Sequence, residues 1–309
     1  MPSSTPSSPP TLQLPPESWA HFDLYQRVRE AVRAMPLYFR TETYISGILA
    51  TDLHTLNTVL GATIEDQAVA TLNAMRKTWD HDERYKLFSF VRQPQTFPDV
   101  LLRKADHDVI LGIELKGWYL LAKEGEPSYR YKVTPDACAI ADLLVVVPWA
   151  LTNVLSGSPV VFDPYVESAR YAAEVRNHHW QHVRQTQSDM TINHPPGITP
   201  YPTRKSDQIQ DRPASDSGGN FGRFARSGFM DTFLAQTRKL SLCGVRVDHW
   251  LTFLKVFTGN SSAAEIDAAI ASLSRQVAES VDLEDARKAP MLTILTELRK
   301  LSGLPEMES

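Results

Sequence analysis

The spacing of apolar residues divides the chain into helical and extended stretches. In residues 17–35, Trp19, Phe22, Leu24, Val28 and Val32 fall on one stripe at a helical period. TETYISGILATDLHTLNTVLG (41–61) carries a second helical pattern, closed by Gly61, a residue favoured just past a helix end. Thr63, with Asp66 and Gln67 following, reads as the cap of a third helix over 64–80 that turns Ile64, Ala68, Leu72 and Met75 inward. The period then shortens. YKLFSFVR (85–92), FPDVLLR (97–103) and DVILGIELKGW (108–118) are rich in Val, Ile, Leu and Phe and predict strands. YRYKV (129–133) predicts a short extra strand. TPDACAIAD (134–142), with Pro135 in its first turn, predicts a crossover helix feeding LLVVVPWAL (143–151), an apolar run expected of a strand covered on both faces.

SPVVFDPYV (158–166) predicts a further strand or edge, and 167–186 a helix. Residues 188–220 are rich in Pro, Gly, Ser and Asp and read as a long loop, which in a compact domain is usually functional or mobile. From Phe221 the pattern is helical to about Leu301. The expected fold class is therefore α/β (α+β): a central mixed β-sheet flanked by N- and C-terminal helices, with core order helix, three strands, helix, strand. The divisions are a disordered Pro/Ser leader (1–16), N-terminal helices (17–60), a core (61–187), the loop (188–222) and a C-terminal helical region (223–309).

Composition narrows the function classes. The chain has 309 residues, 42% hydrophobic and 22% charged, and a net charge of −4. Any nucleic-acid surface must then be a local basic patch. Two cysteines, Cys138 and Cys243, are far apart and suggest neither a disulfide framework nor a zinc site, so a reducing cytoplasm is expected. The N-terminus lacks the charged and apolar regions of a signal peptide. The longest apolar run is too short to span a bilayer, so no membrane partner is expected.

Three charged residues stand out against the apolar strands: Asp99, Glu114 and Lys116. If FPDVLLR and DVILGIELKGW form an antiparallel hairpin turning between Asp106 and His107, paired residues share an index sum of 213. Asp99 and Glu114 also sum to 213, which sets them opposite each other with Cβ atoms roughly 5 Å apart. Lys116 projects from the face of Glu114, while Leu111, Ile113 and Leu115 project from the other. Two carboxylates that close repel and raise each other's pKa, and a divalent cation removes that penalty. Two carboxylates completed by water and phosphate are a usual Mg²⁺ site. A neighbouring lysine can position or deprotonate a water, so the chemistry indicated is metal-assisted phosphodiester hydrolysis. The same charges could also be a solvated edge-strand face, with Asp99 capping a turn.

Pro98-Asp99 followed by Glu114-Leu115-Lys116 resembles the PD-(D/E)xK nuclease superfamily over roughly residues 61–151. The predicted α-β-β-β-α-β order looks like that superfamily's restriction-endonuclease-like core. Chain length, the extra helical layers and the lack of an ATPase motif make it most like a Type II restriction endonuclease. The resemblance implies Asp99 and Glu114 as metal ligands, the Leu115 carbonyl as a further ligand, Lys116 as the water-positioning residue and Mg²⁺ as cofactor. It also implies a catalytic role for Glu65, on the helix before the first strand, holding a metal-bound water or a second ion; alternatively Glu65 is a first-turn glutamate favoured by the helix dipole. Double-stranded DNA would be the substrate, a homodimer the assembly that cuts both strands, and a cognate DNA methyltransferase the cellular partner.

For DNA contact, 204–239 holds Arg204, Lys205, Arg212, Arg223, Arg226, Arg238 and Lys239 against four aspartates, and Arg130 and Lys132 follow the catalytic strand. Ordinary surface charge explains these residues as well. His178 and His182 lie i, i+4 and could bind zinc, but with no third ligand they read as a helix face. Two other functions remain open: a structure-selective or repair nuclease on the same core, and a non-catalytic DNA-binding or assembly protein with an ion-paired strand face.

Overall fold

The computed structural model describes residues 8–47, 56–93, 96–104, 108–185, 188–202, 206–216, 219–256 and 261–281, with 288–289, 291–293 and 295–296. It is a mixed α/β fold around one central sheet. Helix α1 (Phe22–Tyr38) buries Leu24, Tyr25, Val28, Ala31, Val32 and Met35, close to the stripe expected. Helix α2 (Leu56–Ala74) is followed by the single turn α3 (Arg76–Trp79). Strands β1 (Ser89–Arg92), β2 (Val100–Lys104) and β3 (Asp108–Tyr119) form an antiparallel meander. Strand β4 (Leu143–Leu151) lies parallel to β3 and is buried along its whole length. The short strands β5 (Pro159–Val161) and β6 (Tyr165–Ser168) both pair antiparallel with β4. Helix α4 (Ala169–His178) follows, capped by the Ser168 side chain. The remaining elements are the two-residue strands β7 (Ile192–Asn193) and β8 (Arg212–Pro213), helix α5 (Asp231–Thr237), the small hairpin β9 (Ser241–Leu242) and β10 (Val245–Arg246), then α6 (Val247–Lys255) and α7 (Ala263–Glu279). Among the described residues no helix is long and apolar enough to cross a membrane.

Several expectations are corrected. Gly61 does not close a helix and Thr63 does not cap one, because α2 runs through both. Tertiary packing overrides the local cue: α2 packs on β3 here, with the Gly61 Cα 3.8 Å from where a Cβ on Gly117 would stand. Of the helix expected at 41–61, residues 41–47 are not helical, 48–55 lie outside the described residues, and the remainder belongs to α2. The strand at 85–92 shortens to β1, since Tyr85 and Phe88 turn the chain and give their carbonyls to Arg76.

The crossover helix at 134–142 is only a 3-10 turn, Pro135–Ala137. The Asp142 carboxylate accepts the Ala139 N–H at 2.7 Å and the Gly112 N–H at 2.6 Å, so the side chain takes up a donor that a helix would have used. The expected α-β-β-β-α-β order therefore lacks its second helix between β3 and β4. The YRYKV strand reduces to one bridge, Val133 to Gln210. The helix at 167–186 begins at Ala169 and ends in a π-helical turn, His179–Val183. The pattern after Phe221 yields a 3-10 turn, Phe224–Ser227, and the short α5 before the hairpin, which was not foreseen. Most of the expected last helix lies outside the described residues.

Candidate active site

The meander places Asp99 and Glu114 as the index sum requires. Val100 pairs with Ile113, Leu101 with Gly112 and Leu102 with Leu111, all on a sum of 213. A bulge between Leu102 and Arg103 then shifts the register by one toward the turn, whose residues 105–107 lie outside the described ones. Asp99 stands just before β2 and beside Glu114. Leu111, Ile113 and Leu115 are buried on the opposite face, as their alternation demands.

Asp99 is held in place by its neighbours. A Cβ at Gly112 would lie 2.3 Å from Pro98 Cγ, so only glycine lets Pro98 seat against β3. The Asp99 carbonyl accepts the Gln93 N–H at 2.6 Å, and the Pro98 carbonyl accepts Gln93 Nε2 at 3.1 Å. The Asp99 Oδ2 accepts the Leu115 N–H at 3.0 Å. A strand residue directs its N–H and C=O to the same side, so the Leu115 carbonyl also faces the β2 side of β3, where β2 has ended.

Lys116 Nζ bridges both acids, 3.1 Å from Asp99 Oδ2 and 2.9 Å from Glu114 Oε1. The side chains are 25%, 12% and 20% exposed for Asp99, Glu114 and Lys116, so the cluster is sunken but reaches solvent. Burial, then the charge of Asp99, pushes the Glu114 carboxyl up to about 8. Burial alone would lower Lys116; Glu114 and Asp99 outweigh it and hold the ammonium well above the ordinary lysine range. The second carboxylate oxygen of Glu114, Oε2, is buried with no hydrogen-bond partner.

Glu65 lies in the interior of α2, not in a first turn, so the helix-dipole reading of it fails. Burial and the nearby Asp99 raise its pKa, against the pull of Lys116 and Arg92. Arg92 Nη2 is 3.8 Å from Glu65 Oε2. Arg92, which pairs with Val100 on β1 and reaches Glu65, was not foreseen. Asp142 was also missed. It is fully buried beneath Gly112, and burial pushes it up to about 6 against its bonds from Ala139, Gly112 and the Tyr201 hydroxyl, the last at 3.0 Å. An acid immediately ahead of an entirely apolar strand was the available signal.

Among the described residues no three His, Cys, Asp or Glu side chains gather closely enough to hold a metal by themselves. The residues that fit a hard cation are Asp99, the orphaned Glu114 oxygen and the Leu115 carbonyl, with water completing the shell. Such an ion would compete with the Lys116 ammonium for the same oxygens.

The predicted DNA-contact residues divide, with Arg130 and Lys132 brought against the segment that carries Arg223 and Arg226. Arg204 and Lys205 lie outside the described residues. Arg212 is exposed on β8. The Arg130 guanidinium lies against Gly219 and the Lys132 stem against Gly222, while Arg223 and the exposed Arg226 follow on the same segment. Arg226 pairs with Glu126 at 2.8 Å. The rings of His178 and His182 lie 5.1 Å apart at the end of α4, with no metal-binding group around them among the described residues.

No family model matches the chain, and no curated protein or solved structure matches it either.

Proposed function

We propose that the protein is a Mg²⁺-dependent nuclease that hydrolyses phosphodiesters of double-stranded DNA, most like a Type II restriction endonuclease acting as a homodimer alongside a cognate methyltransferase. One observation carries the reading: two carboxylates converge where β2 begins beside the middle of β3, under a bridging lysine, and one buried Glu114 oxygen has no partner. A closed structural ion pair would satisfy both oxygens, because an unpaired buried polar atom costs about 1–3 kcal/mol. The absent crossover helix separates this chain from the expected core order, so the reading rests on the cluster and not on the full topology.

In this mechanism Asp99, Glu114 and the Leu115 carbonyl would hold Mg²⁺, which supplies charge to polarise the phosphate and acidify a water. Glu114 and Asp99 hold the Lys116 ammonium protonated in the metal-free site, and beside the metal Lys116 would position the attacking water and offset charge on the phosphate oxygens. Glu65, with a raised pKa and within the field of Asp99, orients the site's outer waters. The exposed Leu37, Tyr38 and Tyr44 give the N-terminal region an apolar surface for the second protomer.

The test is incubation of unmethylated plasmid and phage DNA with the purified protein, with and without Mg²⁺, beside Asp99→Ala. Discrete Mg²⁺-dependent fragments absent in the variant are expected. A smear or nicking would favour a nonspecific or structure-selective nuclease. No cleavage by either protein, on these or on branched substrates, would return the three residues to a charged strand face.

A further inference from the structure

A second site lies away from the carboxylates, where α4 ends. The π-helical turn His179–Val183 widens the helix and sets His179, Trp180 and Arg184 against the segment Asn220–Ser227. Such turns recur at functional sites. Between the two elements is a cavity of about 240 Å³, lined by Arg176, His179, Trp180, Arg184, Arg223 and Arg226 among others, with no carboxylate in its wall.

Several polar atoms on the lining residues have no hydrogen-bond partner within the protein. Trp180 is 3% exposed, and its indole N–H has no partner. The Nε atoms of Arg184 and Arg223 are likewise buried without a partner, as is His179 Nδ1. Burial, then Arg184 and His178, lowers the His179 pKa, which leaves the guanidinium groups as the source of positive charge. Four buried nitrogens on residues that line the cavity thus have no partner, a costly arrangement in a protein interior. The neighbouring charges are accounted for. Arg176 is spent on Asp211 at 2.5 Å and on the carbonyls of Tyr131 and Val133. Arg226 pairs with Glu126. No acid pairs with Arg184 or Arg223 among the described residues; Arg184 lies 3.3 Å from the Trp180 ring centroid and gives one N–H to Ser188.

We propose that this cavity is a phosphate-binding subsite formed by Arg184, Arg223, Trp180 and His179. Planar guanidinium forks suit the oxygens of a phosphate or phosphodiester, and a cavity wall without carboxylates leaves their charge for the ligand. The phosphate could belong to a DNA backbone or to a small phosphorylated molecule. The first source rests on the nuclease reading; the site itself does not.

The experiment uses the full chain in EDTA, so that cleavage plays no part. Inorganic phosphate is titrated by calorimetry into the wild type, Arg223→Gln, Arg223→Lys and Arg184→Gln. Saturable binding is expected in the wild type, roughly tenfold weaker in each Gln variant and partly kept in Arg223→Lys. A duplex oligonucleotide is the second arm. If the source is the DNA backbone, each Gln variant also lowers the slope of log affinity against log salt by about 1. An unchanged duplex slope with lost phosphate binding supports the subsite and assigns it to a small phosphorylated molecule. Absence of saturable phosphate binding in the wild type, or its retention in folded Arg223→Gln and Arg184→Gln, overturns the proposal. Arg184 stacks on Trp180 and could matter for folding; Arg223→Gln, judged with its own melting curve, keeps the test decisive. A failed plasmid cleavage assay would leave the phosphate arm unaffected.

Discussion

Replacing Lys116 with methionine keeps most of the side-chain volume and removes only the ammonium that bridges Asp99 and Glu114. The two acids then face each other with no cation between them. Removing one partner of a fully buried ion pair costs about 3–5 kcal/mol, and the 12–25% exposure here reduces that to about 2 kcal/mol. For a chain of this size such a loss corresponds to about 4 °C in Tm. The pH dependence has a definite sign. The folded Glu114 carboxyl is raised to about 8, above its ordinary value, so the native state keeps a proton that the unfolded chain has released. Below that value the pair carries one charge fewer and misses the lysine less. The deficit of Lys116→Met relative to wild type should therefore grow as pH rises through about 8. The assay is thermal unfolding of both proteins in EDTA at about pH 6 and about pH 9, repeated with Mg²⁺. Mg²⁺ should recover more stability in the variant than in wild type, because the competing ammonium is gone. An equal deficit at both pH values, untouched by Mg²⁺, would show that Lys116 contributes only its packed stem.

Other perturbations separate the parts of the site. Gly112→Ala drives a methyl to 2.3 Å from Pro98 Cγ and 3.0 Å from Asp142 Oδ1, and should cost about 3 kcal/mol in denaturant unfolding. Unchanged stability would mean that Pro98 is not seated there. Mg²⁺ must displace the proton that Glu114 holds below about 8, so affinity by calorimetry should rise with pH up to that value and level off above it. A flat profile would remove Glu114 from the ligand set. Glu65→Gln should lower the rate of Mg²⁺-dependent cleavage about tenfold with little change in Mg²⁺ affinity, and an equal loss in affinity would move Glu65 among the direct ligands.

The pairing of Asp99 with Glu114 was legible from the sequence because strand alternation has a period of two and a hairpin has a constant index sum. The bulge at Leu102/Arg103 did not spoil the calculation, since it lies on the turn side of the pairs beside the site. The errors fall where a tertiary partner decides. Gly61 carries a strong local stop signal, yet α2 continues, and the packing at this point is against a strand more than fifty residues away. The crossover helix failed for a similar reason: Asp142 bonds to the Ala139 N–H and reaches back to Gly112, a contact that propensity does not express. Arg184 and Trp180 escaped notice because their pattern continues that of α4, and the π turn that re-aims them is not encoded in apolar spacing.

The buried polar groups divide into two kinds, and the division bears on function. Asp211 is fully buried but receives Arg176, Asn177 Nδ2 at 2.9 Å and His194 Nδ1 at 2.8 Å, and so ties the 188–216 segment to α4. Asp142 is fully buried and receives two backbone N–H groups and a tyrosine hydroxyl. These acids have structural work and a full set of donors, which is how buried charge is normally tolerated. Glu114 differs in kind. Its Oε1 depends on a lysine shared with Asp99, its Oε2 receives no donor, and its pKa is displaced further upward than that of Asp142. The same chain that satisfies Asp142 next to Gly112 leaves Glu114, two residues further along the same strand face, short of a donor. That contrast around one strand is what a structural explanation of Glu114 does not supply, and a cation shared with Asp99 would supply it.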